Sequence, residues 1–434
     1  MVVSTRSLLV LTATGIGLFI GSASAQTADQ STNEVKRIMD HASYKEAVKF
    51  IDGDYDRVIA EGIKLTEIPA PPFKEEKRAA AYAQMFKDVG LTDVEIDPEG
   101  NVLGIRKGTA GDGKFVAITA HLDTVFPEGT DVTVKREGTK LYAPGIADDT
   151  LSLAINLGYI RALNAAKIQT KEDILFVGTV GEEGLGDLRG VRYLFTKGKY
   201  KDKIKTFFTV EGGGITSVTN GGIGSKRYRV TYKGPGGHSY SAFGLVNPAF
   251  ALGEAVSLFS RSFVPAKPKT TFNVGVITGG TSVNSIPFEV SMEVDMRSES
   301  DAELKRIEER LLTIVQQAAD TENFARSTKE GKITVKAELI GDRPSGSTAE
   351  TQPIFQFTKA ALEANGYKPN YSWGSTDANM PMSLGIPALS IGAKGPDKNG
   401  RSHSLDEWAD VEKDPFVKGM NTALIPLLAV IGLQ

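Results

Sequence analysis

The residue types that bind metals or move protons gather in a few short runs of this 434-residue chain. Ala117-Ile-Thr-Ala-His121-Leu-Asp123 reads as a buried strand ending in His-x-Asp. Side chains two apart on a strand point the same way, so His121 and Asp123 can share one site. An imidazole is a good zinc ligand, and a neighbouring carboxylate can fix its tautomer. Taken alone, a His at a strand end is more often a structural residue. Asp148-Asp149-Thr150 stands in a loop before a helical stretch, where paired Asp also suits a cap. Glu182-Glu183 follow an apolar strand, at the carboxyl edge where α/β sheets bind ligands. Two such like charges cost energy unless a cation holds them; a solvated acidic loop is the plain alternative. Glu211 stands at the tip of the next strand, and His403 in Arg401-Ser-His403-Ser-Leu-Asp406-Glu407-Trp408. Together these His, Asp and Glu residues supply N and O ligands suited to zinc, with no thiolate among them. Two His ligands argue against a hard, oxygen-seeking calcium site.

The wider sequence limits what such a site could serve. There is no Cys, which excludes disulfides, thiolate nucleophiles and Cys-based zinc sites. Lys and Arg number 50 against 53 Asp and Glu, with no basic block, so nothing announces a nucleic-acid face. Hydrophobic residues at 41% and charged residues at 24% fit a soluble globular protein. Residues 1–25 read as a signal peptide: one Arg, an apolar run from about Leu8 to Ile20, and Ala23-Ser24-Ala25 before Gln26. The mature chain is therefore expected in the periplasm or outside the cell, without stable membrane insertion.

Positioning these runs requires an ordered frame. Residues 26–43 are polar and read as a flexible lead-in, followed by helices over 44–64 and 74–89. Short β-rich runs at 115–120, 174–179 and 206–210 then alternate with helices at 151–165 and near 187–197. That texture indicates an α/β unit with a mixed, largely parallel and buried sheet flanked by helices. Near residue 225 the pattern changes to strand, helix (247–260), strand (271–277), strand (288–297), helix (301–319) and strand (333–340). This βαββαβ order describes a compact α+β, ferredoxin-like sandwich. After about Pro344 the α/β texture returns, with helices at 351–365 and 412–431 and a strand at 387–391. The expected organisation is a catalytic domain over 26–224 and 342–434, interrupted by an inserted domain over 225–341.

The order His-x-Asp, Asp-Asp, Glu-Glu, acidic strand tip, Gly-Gly-His238 and late Ser-His403 resembles the M20 family of metallopeptidases. The likeness runs from about residue 45 to the end. It implies a di-zinc exopeptidase-type fold with two zinc ions per subunit, Co²⁺ or Mn²⁺ being substitutes, bridged by Asp148. It also implies His121 and Glu211 on one ion, Glu183 and His403 on the other, Glu182 as general base, and Asp123 steadying His121. A cis Asp148–Asp149 peptide bond is implied as well. The substrate would be a small peptide or an N-acyl amino acid; a non-catalytic binding protein of the same fold is the alternative from another class. Two departures stand out: Thr150 where the family often has Lys, and Glu211 where many members have Asp.

By the same resemblance the insertion contributes His238 to the oxyanion, often across a dimer interface, and Asn284 and Arg297 to the substrate. A homodimer through residues 225–341 follows. Arg297 suits a carboxylate by bidentate pairing, although Asp295 and Glu299 are equally near for a local ion pair. Thr376, in Trp373-Gly-Ser-Thr376-Asp377, resembles a substrate loop and is open also to a helix-capping role.

Overall fold

The computed structural model describes residues 17–211, 213–396 and 401–434, with side chains from residue 29 onward. Most of the expected leader, including residues 1–16, lies outside the described residues.

The large sheet has nine strands among the described residues. Its centre is parallel: Asp173–Thr179, Phe115–His121, Ile204–Val210 and Ala388–Ile391 lie side by side. Alternate residues of these strands serve two cores, as the period of two requires. Val116, Ile118 and Phe208 join a core beneath the helices Ala42–Thr66 and Leu151–Ala165, while Ala117, Leu175 and Phe207 join one with the helix Arg189–Thr196. With both faces covered, the strands are continuous apolar runs. Because neighbours run the same way, the positions after His121, Thr179 and Val210 emerge along one edge. That edge carries the site.

The lead-in is not flexible. Helix Gly17–Asp40 packs on the helices Pro353–Ala364 and Lys413–Ile431, and Val35 and Ile38 are fully buried there. His41 then caps the next helix, its Nδ1 accepting the amide of Ser43 at 3.3 Å. Ile38→Ala is therefore expected to lower stability by about 2–5 kcal/mol in chemical denaturation, as for other buried Ile→Ala changes. A negligible change would return this segment to the status of a loose leader. The apolar helix Lys413–Ile431 is long enough to cross a membrane, but Met420, Leu424, Ile425 and Leu428 are buried in the core.

The second sheet is antiparallel, in the order Thr270–Gly279, Glu289–Ser298, Gly224–Lys233, Thr334–Arg343. Val290, Met292, Val294 and Met296 alternate inward against the helices Pro248–Phe259 and Asp301–Ala325, forming a separate core. The chain order is strand, helix, strand, strand, helix, strand, the ferredoxin-like pattern. The long helix runs six residues past its expected end at 319.

Candidate metal centre

His121 closes its strand in register with Thr179, and the amide of Leu122 donates to the Thr179 carbonyl at 2.7 Å. That pairing brings the His121-Leu-Asp123 run against the Glu182-Glu183 turn. His121 Nδ1 lies 3.1 Å from the carbonyl oxygen of Asp123, so an Nδ1–H donates there and Nε2 is presented to the site. The Asp123 carboxylate stands 3.7 Å from the same ring and has a second task. Its Oδ1 accepts the amide of Glu182 at 3.0 Å and its Oδ2 that of Glu183 at 2.8 Å. One fully buried carboxylate thus shapes the turn as well as facing the imidazole.

Asp148 is central. Its Oδ1 lies 2.8 Å from His121 Nε2, and its Oδ2 3.3 Å from His403 Nε2. His403 Nε2 is also 2.8 Å from Glu183 Oε1. Ligand atoms of His121, Asp148 and Glu183 all fall within 4.8 Å of one another. The Asp148–Asp149 peptide bond is cis. Glu211 lines the same cavity of about 410 Å³ as Asp148, and its Oε2 accepts from Ser390 Oγ at 3.0 Å.

The electrostatics are those of a place that wants a cation. Hydrogen bonds to Asp148 and Glu183 push the His403 imidazole up to about 10. Burial opposes ionisation of Asp148, yet hydrogen bonds to His121 and His403 hold its carboxyl well below the usual range. Burial, reinforced by the charge of Glu183, pushes Glu182 well upward. Burial does the same to Glu211. Burial opposes a charge on His121, yet its hydrogen bond to Asp148 and the charges of the neighbouring carboxylates raise it above the usual imidazole range, as expected beside a dense group of buried carboxylates. A divalent ion on these N and O donors would offset that negative charge with the donor set zinc favours, so the residues fit a metal.

Residues 117–424 match the peptidase family M20/M25/M40. The chain belongs to that family. It is 28% identical over 350 residues to carboxypeptidase G2 of Pseudomonas sp. (strain RS-16), covering 76% of this chain and 78% of that enzyme. It is 23% identical over 362 residues to succinyl-diaminopimelate desuccinylase of Corynebacterium glutamicum, covering 81% and 91%. Among solved structures, a dinuclear metal binding peptidase from the M20 family of Bacillus subtilis superposes with a TM-score of 0.62 at 17% identity, covering 87% of this chain and 98% of that one. As an M20 member the chain is a peptidase or amidohydrolase, with a candidate metal-ligand cluster at His121, Asp148 and Glu183.

The departures from the M20 pattern have local partners. Thr150 Oγ1 lies 2.6 Å from Thr66 Oγ1 and donates to Gly145 O at 2.9 Å, pinning the Asp148 loop to the helix Ala42–Thr66. Two helpers were not evident in the sequence. Glu407 Oε1 accepts the amides of Ala147 and Asp148 at 2.8 and 3.0 Å. Four residues from His403, it lets a single short run hold the Asp148 loop and supply an imidazole. The second helper is Arg343, whose Nη1 lies 3.4 Å from Glu182 Oε1.

The substrate-side residues are not gathered with the cluster. His238 and Asn284 meet one another: the short strand Gly237–His238 pairs with Ser285–Ile286, and the amide of Ser239 donates to Asn284 O at 2.9 Å. No hydrogen bond or ion pair joins either to the Asp148 cluster among the described residues. Arg297 makes the local ion pair, its Nε donating to Asp295 Oδ2 at 2.8 Å. Thr376 makes a local turn: its Oγ1 accepts the amide of Ala378 at 3.1 Å, just before the helix Asn379–Ser383, and does not cap that helix.

Proposed function

We propose that this chain is an exported di-zinc hydrolase that cleaves a peptide or N-acyl amide bond. The observation that carries the reading is Asp148 offering one carboxylate oxygen to His121 and the other to His403. Zinc ions held by His121, Asp148 and Glu211 on one side and by Asp148, Glu183 and His403 on the other would polarise the scissile carbonyl and acidify a water. The chain's own groups do the rest. Glu182, kept in place by the hydrogen bond that its backbone amide donates to Asp123, accepts a proton from the attacking water and returns it to the leaving nitrogen. Glu182 is not a ligand in this scheme, and Glu183 is.

His238 Nδ1 accepts the amides of Tyr240 and Ser241 at 3.2 and 3.4 Å, so the neutral ring carries its proton on Nε2. That proton is the donor to the developing oxyanion, reaching the site from the second subunit of a homodimer formed through residues 225–341. Asn284 and Arg297 contact the substrate beside it. The leader over 1–25 delivers the enzyme to the periplasm or beyond.

Carboxypeptidase G2 supports a peptide-like substrate, and succinyl-diaminopimelate desuccinylase an N-acyl amino acid as the second reading. A screen of dipeptides, tripeptides and N-acyl amino acids with added Zn²⁺ separates them. Turnover of peptides is the expected result; turnover confined to N-acyl amino acids selects the second reading. Metal-loaded protein that binds these compounds and cleaves none would make it a binding protein instead.

A further inference from the structure

The inserted sheet ends where the proposed base begins. Arg343 is the last residue of the strand Thr334–Arg343, in register with Ser225 on the first inserted strand. Its side chain is 6% exposed and crosses into the large α/β unit. There Nη2 donates to the carbonyl of Glu182 and lies 3.4 Å from Gly184 O. Nη1 donates to Ser375 Oγ at 3.0 Å and stands 3.4 Å from Glu182 Oε1. One guanidinium therefore holds the backbone and the carboxylate of Glu182 and ties both to Ser375, just after the strand Asn370–Gly374.

The surrounding contacts converge on the same turn. The amide of Asp342 donates to both carboxylate oxygens of Asp187, at 3.0 and 2.9 Å. Arg227, on the first inserted strand, donates through Nη1 to Gly184 O at 3.2 Å, and Arg192 donates to Asp342 O. Both ends of the insertion are thus seated on residues 182–192. A planar guanidinium can hold several acceptors in fixed directions at once; an ammonium cannot reproduce that fork.

We propose that Arg343 is a positioning residue for Glu182, setting the direction of its carboxylate and linking that direction to the seating of the inserted sheet. The inference rests on the reading of Glu182 as the base. Arg343 touches neither substrate nor metal in it; it acts through Glu182.

The test compares R343M, R343K, E182Q and the double variant E182Q/R343M as full-length protein. R343M is expected to retain its metal content, to lose about 10²-fold in kcat, and to keep KM within about threefold. R343K should recover part of that loss. Amide hydrogen exchange over residues 180–187 should quicken in R343M, while exchange over Phe115–His121 stays as in the parent. The double variant should be no slower than E182Q alone, since groups acting as a unit are not additive. Unchanged kcat in R343M, lost metal, or a double variant slowed by the product of both single losses would each overturn the inference. If R343M fails to fold, R343K replaces it in the same cycle and decides. Near-normal activity in E182Q has a different meaning: the base assignment itself falls, and the positioning role with it.

Discussion

Glu182→Gln is expected to retain bound metal while turnover falls by about 10²–10⁴-fold, the usual contribution of a general base. Glu183→Gln should instead lose metal. The two residues are adjacent, equally buried, and held by the same carboxylate, Asp123, through their backbone amides. Their side chains face different partners. Glu183 Oε1 meets His403 at 2.8 Å, within the group of potential ligands, whereas Glu182 Oε1 meets Arg343 at 3.4 Å. The amide of Gln has nearly the volume of the carboxylate, so neither change should open a cavity. Metal content by elemental analysis and single-turnover rates separate the two outcomes. Equal metal loss in both variants, or near-normal turnover in Glu182→Gln, would mean that the adjacent pair is reversed or misread.

How much of this was readable beforehand follows from distance along the chain. His121, Glu182 and Glu211 each stand just after an apolar β-rich run, and parallel pairing of those runs brings their tips to one edge. Local pattern and one rule of sheet architecture suffice there. The ferredoxin-like order was legible for the same reason: Val290, Met292, Val294 and Met296 alternate cleanly. The lead-in helix was not, because its inward stripe is Ser31, Val35 and Ile38, too short and too polar to register as an apolar face. Helix-forming neighbours did not identify it either; packing against helices more than 300 residues away did.

The second task of Asp123 was hidden for a related reason. Nothing in a His-x-Asp run announces that the carboxylate will accept amides from a turn some 60 residues on. Glu407 and Arg343 are likewise defined by partners 259 and 161 residues distant. Arg297 and Thr376 illustrate the converse. Each has a polar group two residues away, Asp295 and the Ala378 amide, and in the structure each uses it. At these positions the local partner was legible from two residues of sequence, and the local contact leaves the substrate role to be tested.

Asp148→Ala should abolish turnover and, more tellingly, abolish the stabilisation of the fold by zinc. A ligand that binds only the native state raises stability by about 2.7 kcal/mol at one hundred times its Kd. The parent protein should therefore show a Tm that climbs with zinc concentration. Asp148 faces both imidazoles, one from each side of the cluster, and no other carboxylate among the described residues does so. In the proposed two-ion arrangement its removal would take a donor from both ions at once, while loss of Glu211 or of Glu183 would take a donor from one. Asp149→Asn is the matched comparison. Asp149 is buried beside it, but its Oδ2 accepts the backbone amide of His121 at 3.3 Å, and an amide oxygen can do the same. The Asp149 variant should keep a zinc-dependent Tm, and the Asp148 variant should show none. If Asp148→Ala is stabilised by zinc as strongly as the parent, Asp148 does not bridge, and the two-ion arrangement around it fails even if a single ion still binds between Glu183 and His403.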